Sequence, residues 1–171
     1  MATDFLNRVQ ALTEYSFATS WVLDAPIDAV WDAIIETEQW PEWWPYLCSV
    51  TEIGKGNFDG TGSLLSFKWG GTLPYKLSFL IVVTKIERPT LIEGRVSGDL
   101  VGIGRWIISE RESSATQITY LLKVRTTRIW MNLVAPMARR YFACNHNRVM
   151  EAGGRGLANH LGASLLICNG I

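Results

Sequence analysis

The sequence predicts an α+β fold: a curved, seven-stranded antiparallel sheet wrapped around one long C-terminal helix, with two short helices after the first strand. Three observations predict it. From Leu47 to Thr126 apolar and polar residues alternate with period two, in runs parted by short turns rich in Gly, Asp, Asn and Pro. After Thr127 the apolar period changes to about 3.6 residues. Between them and the first strand lies Trp40-Pro41-Glu42-Trp43-Trp44-Pro45, too rich in proline for a long helix and too bulky for an exposed loop.

Residues Phe5 to Leu12 read as a short helical lead-in. Tyr15–Asp24 reads as a strand with Tyr15, Phe17, Thr19, Trp21 and Leu23 on one parity. A helix follows near Pro26–Thr37, started by Pro26 in its first turn, with Ile27, Val30, Trp31 and Ile34 on one face. The Trp-rich element comes next. Leu47–Ile53 is the second strand, and Gly54-Lys55-Gly56-Asn57-Phe58-Asp59-Gly60 is its turn. Gly62–Trp69 is the third. Gly70-Gly71-Thr72-Leu73-Pro74 interrupts the chain before a long strand, Tyr75–Glu87, whose residues Tyr75, Leu77, Phe79, Ile81 and Val83 are all apolar on one parity. Leu91–Ser97 and Val101–Glu110 follow, joined at Gly98-Asp99. Thr116–Thr126 is the last, with Ile118, Tyr120, Leu122 and Val124 on the buried parity and Leu121 as the exception.

From about Trp130 to Leu161 the spacing is helical, with Val134, Ala138, Tyr141, Phe142, Asn145, Val149, Ala152, Gly156 and His160 on one stripe. Arg139, Arg140, Asn147, Glu151 and Arg155 fall off it. Pro136 lies within this stretch and is expected to kink the helix or start it afresh. Strands joined by short turns pair antiparallel, and one amphipathic helix must cover the buried face of their sheet.

The chain of 171 residues fits one domain, 1–171, with no linker or repeat. Its apolar share of 48% against 19% charged is high, which implies either an extra apolar lining or a homodimer surface. Sixteen basic and sixteen acidic residues balance, so there is no electrostatic footprint for nucleic acid. Cys48, Cys144 and Cys168 form no C-x-x-C pair, and no His/Cys/Asp/Glu group has ligand spacing, so no metal is expected. Gly102-Ile103-Gly104 lies between strands rather than before a helix, so no dinucleotide loop or other cofactor site is expected. No G-x-S-x-G nucleophile occurs. With no signal-like start and no apolar run of ~20 residues, the chain reads as cytoplasmic and not integral to a membrane, a monomer or homodimer.

Ala25-Pro26-Ile27-Asp28-Ala29-Val30-Trp31 followed by Trp40-Pro41-Glu42-Trp43-Trp44-Pro45 resembles the START-like ligand-binding proteins, and more closely their polyketide cyclase/dehydrase branch. Gly98-Asp99-Leu100-Val101-Gly102-Ile103-Gly104-Arg105-Trp106 and Asn145-His146-Asn147-Arg148-Val149-Met150-Glu151-Ala152-Gly153 are similar to the same branch. The resemblance runs from about Thr19 to Leu161. It implies a helix-grip fold with a cavity between sheet and helix, in a family of cyclases, lipid carriers and hormone receptors.

The expected site is that apolar space. Its expected lining is Tyr75, Leu77, Phe79 and Ile81 from the long strand, and Trp106, Ile108, Tyr120 and Leu122 from the last two. Met137, Tyr141, Asn145 and Val149 join them from the helix. Asn145, an amide on an apolar stripe, either orients a ligand or bonds a strand side chain such as Tyr120. His146 is expected at the surface and His160 partly exposed or satisfied in the core. About 21 Å of helix rise separates the two. Glu93, Arg95 and Arg105 form an ion pair across strands, or else Glu93 and Arg95 make a general acid/base or an anion clamp reaching the cavity; strand parity leaves both open. Gly153, Gly154 and Gly156 are expected to let the helix approach its neighbours closely. The chain therefore reads as a binder of a hydrophobic small molecule: a lipid, an aromatic or a polyketide-like metabolite. The alternative is a cyclase/dehydratase-type enzyme acting in the same cavity, although no catalytic constellation is evident.

Overall fold

The structure, a computed structural model, describes residues 14–70, 76–111, 114–127 and 129–170, with side chains from 142 onward in the last segment. The lead-in at Phe5–Leu12, Tyr75, and the side chains of Val134, Met137, Ala138, Arg139, Arg140 and Tyr141 lie outside the described residues.

The strands are β1 (Glu14–Leu23), β2 (Leu47–Gly54), β3 (Leu64–Trp69), β4 (Leu77–Glu87), β5 (Leu91–Gly98), β6 (Leu100–Glu110), β7 (Thr116–Thr126) and β8 (Leu165–Gly170). The helices are α1 (Ile27–Ile35), α2 (Trp40–Trp43, after a 3₁₀ turn at Thr37–Gln39) and α3 (Ile129–His160). All pairings are antiparallel, in the order β2-β3-β4-β5-β6-β7-β1-β8. From β2 to β7 each strand lies beside its sequence neighbour, as short turns require. β1 closes on β7, pairing Tyr15 with Val124 and Trp21 with Ile118.

One expectation is corrected here, and one alternative is narrowed. The sheet has eight strands, because Leu165–Gly170 pairs with the outer edge of β1. An apolar run this short has no legible period, so only the open edge of β1 makes it a strand. Of the two alternatives at Pro136, the restart is not the one realised, since α3 is continuous from Ile129 to His160.

The inner parities hold. In β1, Tyr15, Thr19, Trp21 and Leu23 are buried, and in β7 Ile118 and Val124 are buried while Lys123 and Arg125 are exposed. α1 starts after Pro26, whose extended backbone (φ −62°, ψ 147°) leads into the first turn, and it buries Val30, Trp31, Ala33 and Ile34. Thr116 Oγ donates to the Ala25 carbonyl at 2.7 Å, pinning the turn before α1 to the start of β7.

The centre of the core is aromatic. Trp44 has ring neighbours at Trp21 (5.6 Å), Trp40 (5.3 Å), Trp43 (5.5 Å) and Trp69 (5.2 Å). Its indole N–H donates to the Val149 carbonyl of α3 at 2.9 Å, and that of Trp40 donates to the Ala33 carbonyl at 3.1 Å. The glycines of α3 make this contact fit. A Cβ on Gly153 would overlap the Trp44 indole, one on Gly154 would sit 2.9 Å from Trp21 Nε1, and one on Gly156 would overlap the Trp43 carbonyl. Burying two indoles against bare backbone outweighs the roughly 1 kcal/mol of helix propensity that each glycine forfeits.

The face that α3 presents differs from the expected stripe by about one residue. Met150, Gly153, Gly154, Leu157 and Ala158 are buried, while Asn145, Val149, Ala152 and Gly156 are only partly so. One residue turns a helix by 100°, enough to move its neighbours between the flank and the centre of the face. Asn147, Glu151 and Arg155 are exposed, as expected.

Candidate ligand cavity

Two cavities lie against the inner face of the sheet. The larger, about 500 Å³, lies between β3–β7 and the α1–α2 connection. The smaller, about 170 Å³, lies under α3, between Phe142–Met150 and strands β1, β3, β4, β6 and β7. Trp40, Phe67, Ile81, Trp106 and Tyr120 border both. The sequence reading placed the main space under the C-terminal helix, but no described α3 residue borders the larger cavity.

Two glycines shape the wall of that larger space. Gly94 and Gly104 are cross-strand partners on the inner face. A Cβ at Gly94 would overlap the Ile81 side chain, and one at Gly104 would lie 3.0 Å from the Tyr120 hydroxyl. With no side chains there, Ile81 and the Tyr120 ring close onto the backbone at these two positions. Trp106 stacks on Tyr120 at 4.3 Å and Phe67 on Phe79 at 5.6 Å, which makes the walls stiff and aromatic.

Of the expected lining, Leu77, Phe79, Ile81, Trp106, Tyr120, Leu122, Asn145 and Val149 all border the smaller cavity. Ile108 does not. It is 1% exposed and packs in the solid core opposite Ile118, at the end of the sheet that α1 covers. Parity placed it on the correct face but could not say which end of a long strand is hollow.

His146 is the larger correction. It is mostly buried, borders the smaller cavity and stacks on Phe17 at 4.0 Å with the rings 10° from parallel. Burial pulls its pKa down to about 4, against a smaller opposing effect of Asn147, so the ring is neutral at neutral pH. The helix rotation explains the error, since Phe142, His146 and Met150 share the inner face at i, i+4 spacing. Met150, Leu157 and Leu161 were the available signal, and the polar run Asn145-His146-Asn147 masked it. His160 is exposed, with its ring 6.1 Å from that of Trp43.

Tyr120 is partly buried, and desolvation pushes its phenol well above the ordinary tyrosine range. The residue borders both cavities, and its neutral phenol can donate and accept a hydrogen bond. Glu93 and Arg105 form the cross-strand ion pair, with Arg105 Nε donating to Glu93 Oε2 at 2.9 Å. That pairing holds the Glu93 carboxyl below its ordinary range. Arg95 and Arg105 are exposed on the outer face, so the acid/base alternative for these charges is not the one realised. A group the sequence did not single out borders the mouth of the larger cavity: Glu36 and Glu38 before α2, Glu52 of β2, and Asp59 of the following turn. Among the described residues no set of His, Cys, Asp or Glu is grouped to hold a metal, and no helix is long and apolar enough to cross a membrane.

A twisted antiparallel sheet closed against a C-terminal helix, with hollow space between, is the helix-grip fold of START-like and polyketide-cyclase proteins. Among solved structures, the Zhui aromatase/cyclase from Streptomyces sp. R1128 matches with a TM-score of 0.71 at 15% identity, over 87% of this chain and 94% of that one. A START superfamily protein from Mycobacterium smegmatis matches at 0.69 and 14%, over 86% and 98%. A conserved protein from Geobacillus kaustophilus matches at 0.70 and 16%, over 86% and 95%. At these identities the likeness is one of fold. No protein-family model and no curated protein matches the chain.

Proposed function

We propose that the chain binds a hydrophobic small molecule, an aromatic, lipid-like or polyketide-like compound, in the cavities between sheet and helices. The observation that carries this reading is the larger cavity, about 500 Å³ and walled by Trp40, Phe67, Trp106 and Tyr120. That volume is within the range of small-molecule sites, and its inner wall is aromatic and aliphatic while polar side chains gather at its mouth. The smaller cavity extends it past the shared aromatic wall toward Asn145 and His146. The fold likeness to a START superfamily protein and an aromatase/cyclase supports the same reading.

A cyclase-type reaction is the second reading. What favours it is that the Tyr120 phenol and the neutral His146 imidazole border one cavity. A phenol and an imidazole are a proton donor and acceptor of the kind that enolisation and dehydration use.

The test of binding is native mass spectrometry of the protein purified from its own host, together with titration of the neutral dye N-phenyl-naphthylamine. Retention of a small molecule and saturable dye fluorescence are expected. Phe79→Ala widens the smaller cavity and should change the dye affinity severalfold. A protein that retains nothing and leaves the dye dark has no such function.

A further inference from the structure

The larger cavity is asymmetric in charge. Glu36, Glu38, Glu52, Asp59 and Glu93 border it, and no Lys, Arg or His does among the described residues. Only Glu93 is neutralised, by Arg105. The other four have no cationic partner within ion-pair distance among the described residues. They come from three separate segments, and two are held in place. Glu38 Oε1 accepts the Glu52 backbone N–H at 3.0 Å, and Asp59 Oδ1 accepts the Thr61 N–H at 3.0 Å and its hydroxyl at 2.6 Å. The chain as a whole carries no net charge, so this sign is local. Behind the acids the walls are aromatic faces, whose negative quadrupoles also favour a cation. Tyr120, partly buried and shared with the smaller cavity, brings a phenol to the wall away from the acids.

We propose that this cavity takes a cationic amphiphile: an amine with an aromatic or apolar body, its ammonium held at the acidic mouth and a polar group at the far end meeting the Tyr120 hydroxyl. The inference rests on the reading that the cavity binds a small molecule, and it adds the ligand's charge and polarity. Unpaired carboxylates beside a low-dielectric wall concentrate cations and repel anions. A neutral compound with the same body gains only its apolar burial, and an anionic one loses part of that to repulsion.

The experiment uses the full chain and three probes that share a naphthalene body, naphthylethylamine, naphthylethanol and naphthylacetate, each displacing N-phenyl-naphthylamine. The amine should bind about tenfold more tightly than the alcohol, the acetate more weakly than either, and the gap should shrink as salt rises. Glu36→Gln, Glu38→Gln and Glu52→Gln together should lower the amine's affinity to that of the alcohol. A hydroxyl at the far end of the amine's naphthalene should tighten binding severalfold, and Tyr120→Phe should remove that gain. If the dye binds but amine and alcohol compete equally, or the acetate competes best, the charge assignment is overturned while the cavity remains a binding site. If neither dye nor probes bind, the binding reading fails, and this inference with it.

Discussion

At the residue scale, His146 shows how burial converts a common side chain into a pH-sensitive one. Its pKa falls from 6.5 to about 4 on folding because the ring is desolvated between α3 and Phe17. The unfolded chain therefore binds more protons than the folded one between these values, and stability rises with pH across that window. The contribution is fully present above about pH 6.5 and is lost as pH falls toward 4, to a total on the order of 1–3 kcal/mol. Urea unfolding at a series of pH values should show this slope in the natural protein and a flatter one in His146→Phe, which keeps an aromatic ring on Phe17. Equal slopes would mean that the histidine is solvated. Gly153 makes the opposite point about propensity. Gly153→Ala in an exposed helix would stabilise by about 1 kcal/mol. Here the new methyl overlaps the Trp44 indole, so destabilisation by about 1–3 kcal/mol is expected in the same assay.

At the element scale, the strands were legible because a buried sheet face imposes alternation on every second residue. The bounds of β4 to β7 lie within two residues of those read from the pattern. The helix α3 was legible in existence and length, but not in rotation. Its stripe contains few large apolar residues, and the glycines that pack hardest leave no hydrophobic signal at all. α1 was legible in both, since Val30, Trp31 and Ile34 are large and regularly spaced. What holds α1 to the sheet was not legible. The Thr116 hydroxyl bonds to the Ala25 carbonyl across 91 residues of chain, where neither atom meets water. Thr116→Val keeps the shape and removes the donor, leaving a buried carbonyl without that partner. A loss of about 1–3 kcal/mol is expected from chemical denaturation, and a loss below half a unit would make the bond incidental.

At the scale of the whole molecule, β1 lies between β7 and the C-terminal β8, so β8 covers an edge that would otherwise be open. Ending the chain after Gly162 uncovers the backbone of β1 from Thr19 to Leu23 along with the flank of Trp21. An unpaired edge invites pairing with another copy. The shortened protein should melt at a lower temperature and show concentration-dependent association in sedimentation, where the full chain gives a constant species. Unchanged melting and sedimentation would reduce β8 to a dispensable appendage. The sequence by itself determined the α+β class, the antiparallel run of β2 to β7, the inward parity of β1, β4 and β7 and the long terminal helix. All of these follow from local periodicity and short turns, which a reader of the chain can count. Only the tertiary structure decided the eighth strand, the rotation that brings His146 inside, and the position of the larger cavity under α1 and α2. It also decided the meeting of Glu36, Glu38, Glu52 and Asp59 at one mouth. Those features depend on which surfaces meet after the sheet has twisted and closed on β1, and no local pattern carries that information.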